Sequence, residues 1–145
     1  MMKLSEEGTK FLTLEEGKKL KIYLDSVGLP TCGIGHLIVS TDPEHGKPVG
    51  TPITEERCME LFRNDVGPTE NAVNSFVKIP LKQSQFDSLV SLVFNIGIGA
   101  FRKSTILKKL NDNLIMEASY EFPRWAAKQK ELMPRRMREK ALFLS

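Results

Sequence analysis

The hydrophobic period changes twice within the first third of this chain, and that limits its fold more than any other feature. Residues 4–16 place Leu4, Phe11, Leu12 and Glu15 near one face at helical spacing. Ser5 stands where an N-cap belongs, Gly8 weakens the first turn, and Gly17 stands where a helix stops. Leu20, Ile22 and Leu24 then alternate with Lys19, Lys21 and Tyr23, which is the period of a strand. Asp25-Ser26-Val27-Gly28 is turn chemistry. Residues 31–34 and 36–39 are two more short extended pieces around Gly33 and Gly35. The expectation is a three-stranded meander.

Residues 40–52 hold three prolines and two glycines and read as a loop. From Thr54 the helical period returns. Thr54 is an N-cap candidate with Glu55 and Glu56 in the first turn, where the helix dipole favours acid. Cys58, Leu61, Phe62 and Val66 share a face, continued by Val73, Phe76 and Val77. Pro68 lies between them, and an interior proline costs about 3 kcal/mol, so a kink or a break with a restart is expected. Further helices are expected over about 83–95, ending at Gly97 and Gly99; from Ser104 as cap to about 111; over 114–122; and from Pro134, as a first-turn proline, through 143. The class is α+β in one domain. A small sheet lobe spans about residues 17–53, and a larger helical lobe spans 54–145 with the N-terminal helix 4–16.

At 145 residues, 41% apolar and 27% charged, the chain is long enough for a single core, and collagen-like or disordered classes are excluded. The net charge of +3 is uneven. Residues 124–145 carry seven basic and two acidic side chains, a local +5, which leaves −2 for the first 123. Such an end attracts polyanions: nucleic acid, anionic lipid or an acidic wall polymer. Cys32 and Cys58 make no disulfide framework. No N-terminal stretch has the order of a signal peptide, and the longest apolar runs are too short to span a bilayer. Synthesis in a reducing cytoplasm is expected.

Residues 16–36 carry the chemistry. Glu16 closes a helix, where the dipole's negative end disfavours a second negative charge and so favours the protonated form a general acid needs. Asp25 sits in a polar turn that suits the ionised form. Two carboxyls in contrasting surroundings can divide acid and base work. Thr31 can aim its hydroxyl at the same space, and Gly33 with Gly35 leaves sheet backbone open to a flat polymer. Spacing alone supports only a candidate hydrolase, because most such pairs are simply solvated.

The segment resembles the signature of the phage-type lysozymes, the bacteriophage endolysins: Glu-Gly, then Tyr and Asp, then Thr-x-Gly-x-Gly-His. Eight residues separate Glu16 from Asp25 and five separate Asp25 from Thr31, as in that pattern. Residues 85–97, with their Phe-Asn-x-Gly ending, resemble the family's core helix. Phe101, Ser104-Thr105, Trp125 and Arg135-Arg136 match further on. The resemblance implies a lysozyme-like fold, with a sheet lobe, a helical lobe and a cleft between them. It also implies hydrolysis of the β-1,4 bond between N-acetylmuramic acid and N-acetylglucosamine in peptidoglycan. Glu16 would protonate the leaving oxygen, and Asp25 with Thr31 would direct a water, with inversion. Leu37, Phe94 and Ser104 match positions that line the sugar cleft. Arg136, or Arg135, is the cation expected to dock the last helix near Glu16. His36 is expected to be structural and paired with Asp65. No metal or cofactor is implied. The expected partner is bacterial peptidoglycan, reached from the host cytoplasm through a separate holin-type pore, by a monomer that binds no nucleic acid.

Three departures bear on that picture. Glu15 precedes Glu16, but only Glu16 abuts the glycine. Cys32 beside Thr31 has no partner base at short spacing and reads as buried. Met137, Ala141, Leu142 and Leu144 lie opposite the charges of the last helix, which reads as a docked amphipathic helix. The other readings are an inactive peptidoglycan-binding module, or a membrane-active or nucleic-acid-binding protein using residues 124–145. Chitin shares the β-1,4 backbone and is the alternative substrate.

Overall fold

The computed structural model describes all residues, Met1–Ser145. Helix α1 spans Glu6–Glu16. Ser5 caps it, its Oγ accepting the Gly8 amide at 2.9 Å. Gly17 leaves it at φ +80°, a conformation that glycine adopts without penalty. Strands β1 (Lys19–Leu24), β2 (Pro30–Gly33) and β3 (His36–Leu37) form an antiparallel sheet in the order β1-β2-β3. Helices α2 (Glu55–Phe76), α3 (Gln83–Ile96), α4 (Ile98–Arg102), α5 (Thr105–Asn111), α6 (Ile115–Ser119) and α7 (Met133–Leu144) follow, with 3-10 turns at Pro123–Ala126 and Lys130–Leu132. The chain is α+β, as expected.

Two compact units result, Leu12–Gly67 and Met1–Phe11 with Pro68–Ser145. In the first, Ile22, Cys32, Ile38 and Leu61 form a core with Ile53 packed against it. Alternation along β1 is only partly expressed: Ile22 is buried, whereas Leu20 and Leu24 are exposed. Both cysteines are unpaired and fully buried here. Burial pushes the Cys32 thiol up to about 11 and raises that of Cys58 as well. Gly33 turns its missing Cβ toward the Cys58 sulfur, 3.3 Å from where that carbon would stand. Its bareness therefore serves core packing and not the approach of a polymer.

In the second unit, α3 is the central helix, with Phe86, Leu89, Val90, Leu92 and Val93 buried. It packs against α7. The N-terminal residues are tied to it and to α2 by side chains. Asn74 pairs with both the N–H and the C=O of Met2, Glu70 accepts the Leu4 amide, and the buried Asp87 accepts the Ser5 amide and hydroxyl.

Three expectations are corrected. No break with a restart occurs at Pro68: helix α2 runs through it, and the flanking turns carry the helix across the missing N–H. Helix α3 stops at Gly97, at φ +96°, as expected, but Gly99 is no part of that stop, since α4 begins at Ile98 and includes it. The face assignment of α7 is reversed, since its buried side chains are Arg135, Arg136, Glu139 and Phe143, while Met137 and Leu144 are exposed. Glu139 makes this arrangement tolerable, because a buried charge must be paired and hydrogen-bonded. It receives Arg136 at 2.5 Å, Arg135 at 3.1 Å and the Ser91 hydroxyl at 2.5 Å.

Candidate active site

The strand register sorts the sheet's side chains. Residues directly opposite in an antiparallel pair point to the same face. Cys32 faces His36, and both turn toward the core side with Ile22 and Ile38. Tyr23 pairs with Thr31, and Thr31 with Leu37, so these three form one row across the other face.

Asp25 follows β1 directly. Its Oδ1 accepts the Val27 and Leu29 amides, both at 2.9 Å, and the Gly28 amide closes the turn on its carbonyl at 3.0 Å. The expected turn is thus an Asx turn built by the candidate catalytic group itself. Two backbone donors fix one carboxylate oxygen, and neither of them engages Oδ2. Thr31 is buried, and its hydroxyl donates to the Leu29 carbonyl at 2.9 Å. With that proton committed, the Thr31 oxygen meets a further ligand as an acceptor. Glu16 is half-buried at the end of α1. Its carboxyl lies against the β2–β3 turn, where a Cβ on Gly35 would stand 3.3 Å from Oε1. Gly35 also has φ +65°, so the turn needs a glycine both for its backbone and for the carboxyl beside it.

His36 supports this hairpin from the core side. Its Nδ1 meets Asp65 at 2.7 Å, as expected, and its Nε2 meets Asp42 at 2.7 Å. Asp42 also accepts the Val39 amide and faces Arg57 at 3.9 Å. Arg57 in turn grips the buried Glu44 through two nitrogens, at 2.9 and 3.0 Å. Burial pulls the His36 pKa down, but the hydrogen bonds from Asp42 and Asp65 and their charges outweigh it, so the net shift is upward. Burial pushes Asp42 up, and the Val39 amide, His36 and Arg57 outweigh that, holding its carboxyl below the usual range. Asp42 was not legible as a partner, because it lies in a proline- and glycine-rich loop where sequence shows turn chemistry and no direction.

Leu37 is 47% exposed, so it is a surface side chain in the row with Thr31 and not part of the core. The other expected residues belong to the helical unit. Phe94 is half-buried on α3. The Ser104 hydroxyl caps α5, accepting the Leu107 amide at 3.1 Å and donating to the Phe101 carbonyl at 2.6 Å. Arg136 is fully buried and donates to Glu139 and to the Asn95 side-chain oxygen. No group of His, Cys, Asp and Glu side chains is arranged to hold a metal ion.

Glu16 and Asp25, beside a sheet face that carries Tyr23, Thr31 and Leu37, supply the pair of carboxyls that acid and base work on a glycosidic bond uses. Comparison with known proteins points the same way. The sequence model of the family described as phage lysozyme matches residues 13–139. The chain is 45% identical over 150 residues to the endolysin of Salmonella phage P22, covering all of both chains. Among solved structures it is similar to the muramidase domain of SpmX from Asticaccaulis excentricus, with a TM-score of 0.84 and 33% identity over 100% of this chain and 99% of that one. It is likewise similar to the endolysin of Escherichia coli O157:H7 phage FAHEc1, with a TM-score of 0.87 and 33% identity over 99% and 94% of the two chains.

Proposed function

The chain belongs to the phage lysozyme family, and from that premise we propose that Glu16, Asp25 and Thr31 carry its chemistry. The protein is a muramidase, a glycoside hydrolase that cuts the β-1,4 bond between N-acetylmuramic acid and N-acetylglucosamine in bacterial peptidoglycan. In the proposed division of labour, Glu16 protonates the leaving oxygen. Asp25 Oδ2 takes a proton from a water on the opposite face of the sugar ring, and Thr31 Oγ1 accepts that water's second hydrogen. With both hydrogens engaged, the water presents a lone pair to the anomeric carbon. The observation that supports this reading most is the commitment of the Thr31 proton to Leu29 and of Asp25 Oδ1 to two amides, which makes both groups acceptors of fixed direction.

The decisive experiment compares wild type with Glu16→Gln on purified sacculi. Lysis falls by about 10²- to 10⁴-fold, the contribution typical of a general acid, while sacculus binding persists. A Glu16→Gln protein that clears sacculi at the wild-type rate sinks the assignment; a wild type that binds but never clears would leave only a binding module. The mechanism is inverting, with the carboxyls about 6.5–9.5 Å apart to admit the water. Product anomers followed by NMR as they form show inverted configuration; retained product overturns this.

Leu37, on the same face as Thr31, and Phe94 and Ser104 on the helical unit are the proposed sugar contacts. Since the Ser104 hydroxyl is held by its cap, its contribution comes through the backbone and the side-chain carbon. We further propose synthesis in the host cytoplasm, release through a separate holin-type pore, and action as a monomer on the cell wall. Two buried, unpaired cysteines suit a protein that folds under reducing conditions. No helix is long and apolar enough to cross a membrane.

A further inference from the structure

Tyr23 stands on β1 at one end of the row it forms with Thr31 and Leu37, and it has no part in the roles given so far. It pairs directly with Thr31 across β1 and β2, so the two side chains share that face. Asp25 follows directly on the end of β1, two residues after Tyr23. The charges of Asp25 and Glu16 both reach the phenol. Burial is the larger cause of its raised pKa and those two carboxylates add to it, with a contribution from Cys32. The group is therefore a protonated donor at neutral pH. Its ring is held in place, with the Lys19 ammonium 4.2 Å from the ring centroid. A cation over a partly exposed ring is worth about 0.5–1 kcal/mol, enough to bias one ring orientation.

We propose that Tyr23 is a substrate-binding residue of this site, its hydroxyl donating a hydrogen bond to an oxygen of the amino sugar that lies against Thr31 and Leu37. The neighbours account for the need. Asp25 Oδ2 and the Thr31 oxygen are both acceptors, whereas a pyranose and its acetamido carbonyl also present acceptors, which require a donor. Tyr23 is the donor in the row. The inference rests on the assignment of Glu16, Asp25 and Thr31 above.

Tyr23→Phe isolates the hydroxyl, because it keeps the ring, its packing and the Lys19 contact. Thermal stability stays within error of wild type, and KM on sacculi rises about three- to tenfold, the range expected for one uncharged hydrogen bond, with kcat little changed. In the inactive background, Glu16→Gln/Tyr23→Phe binds soluble two-disaccharide peptidoglycan fragments more weakly than Glu16→Gln by the same factor. A Tyr23→Phe protein with wild-type KM and fragment affinity makes Tyr23 a structural residue and overturns the inference. A fall in kcat at unchanged KM overturns it too, because the hydroxyl would then act in the chemical step. The two readings fail separately. Lysis by Glu16→Gln defeats the catalytic assignment whatever Tyr23 does, whereas an inert Glu16→Gln beside a Tyr23→Phe identical to wild type defeats this inference alone.

Discussion

At the scale of single residues, the contacts that matter most are those a side chain would spoil. A Cβ on Gly8 would stand 2.7 Å from each Asp87 carboxylate oxygen. Asp87 has no easy retreat, because it holds the Ser5 amide and hydroxyl and receives the Gln83 side chain at 2.8 Å. Gly8→Ala sets two effects against each other. Alanine gains about 1 kcal/mol in helix propensity, and overpacking costs about 1–3 kcal/mol while also disturbing a buried carboxylate. The second wins. We expect a net loss of about 1–2 kcal/mol, read as a Tm lowered by roughly 2–4 °C per kcal/mol in a chain of this size. An unchanged or raised Tm shows that Asp87 can shift at no cost. Sequence alone presents Gly8 as a weakness in a first turn. The carboxylate that requires it stands seventy-nine positions along the chain, beyond the reach of any local pattern. Glu16, Asp25 and Thr31 can be picked out as candidates from sequence because their placement is local, each at or beside an end of an adjacent element.

At the scale of elements, β3 is too short to hold itself, with two residues and two register pairs. His36 anchors it to α2 through Asp65 and to the following loop through Asp42. The sign of the pH dependence follows. The folded pKa of His36 is raised above its unfolded value of about 6.5. Its contribution is therefore fully present below that value and is lost as pH rises through the folded pKa. Asp42 is depressed, so its contribution is present above the ordinary Asp range and is lost as pH falls through its folded pKa. The anchor is strongest between these limits. His36→Asn is expected to lose about 1.5–3 kcal/mol, the worth of a hydrogen bond to a charged group, near pH 5.5, and distinctly less at pH 9. Denaturant unfolding at the two pH values checks this, and an equal loss at both counts against a charged His36. Elements that announce themselves by caps were readable, as Ser5, Thr54 and Ser104 all accept the expected amides. Helix α4 was hidden because Gly97 and Gly99 look alike in sequence, and only Gly97 has positive φ. The buried face of α7 was hidden because basic residues ordinarily mark a solvated face.

At the scale of the whole molecule, the basic end is less available than its count implies. Of the seven cations in residues 124–145, Arg135 and Arg136 are buried on Glu139. The other five, with Glu131, leave +4 on exposed and half-exposed side chains. That surplus is expected to attract the enzyme to an anionic wall. Raising ionic strength from about 0.01 to 0.15 M shortens the Debye length from about 30 to 8 Å, so clearing of sacculi slows with added salt. A rate independent of salt up to 0.15 M shows that surface charge does not guide binding. The general α+β plan was readable from periods of the chain, since those are set residue by residue. One inward arginine was expected on α7, but that both Arg135 and Arg136 turn in, and do so onto Glu139, was not readable, since it depends on which face of α7 meets α3. A last consequence follows from the two sealed thiols. Both lie in the unit Leu12–Gly67 and neither in the other. A thiol-modifying dye added to the native enzyme can therefore react only when that unit opens, and its slow colour change is a clock for the breathing of the half that carries Glu16, Asp25 and Thr31, silent about the rest.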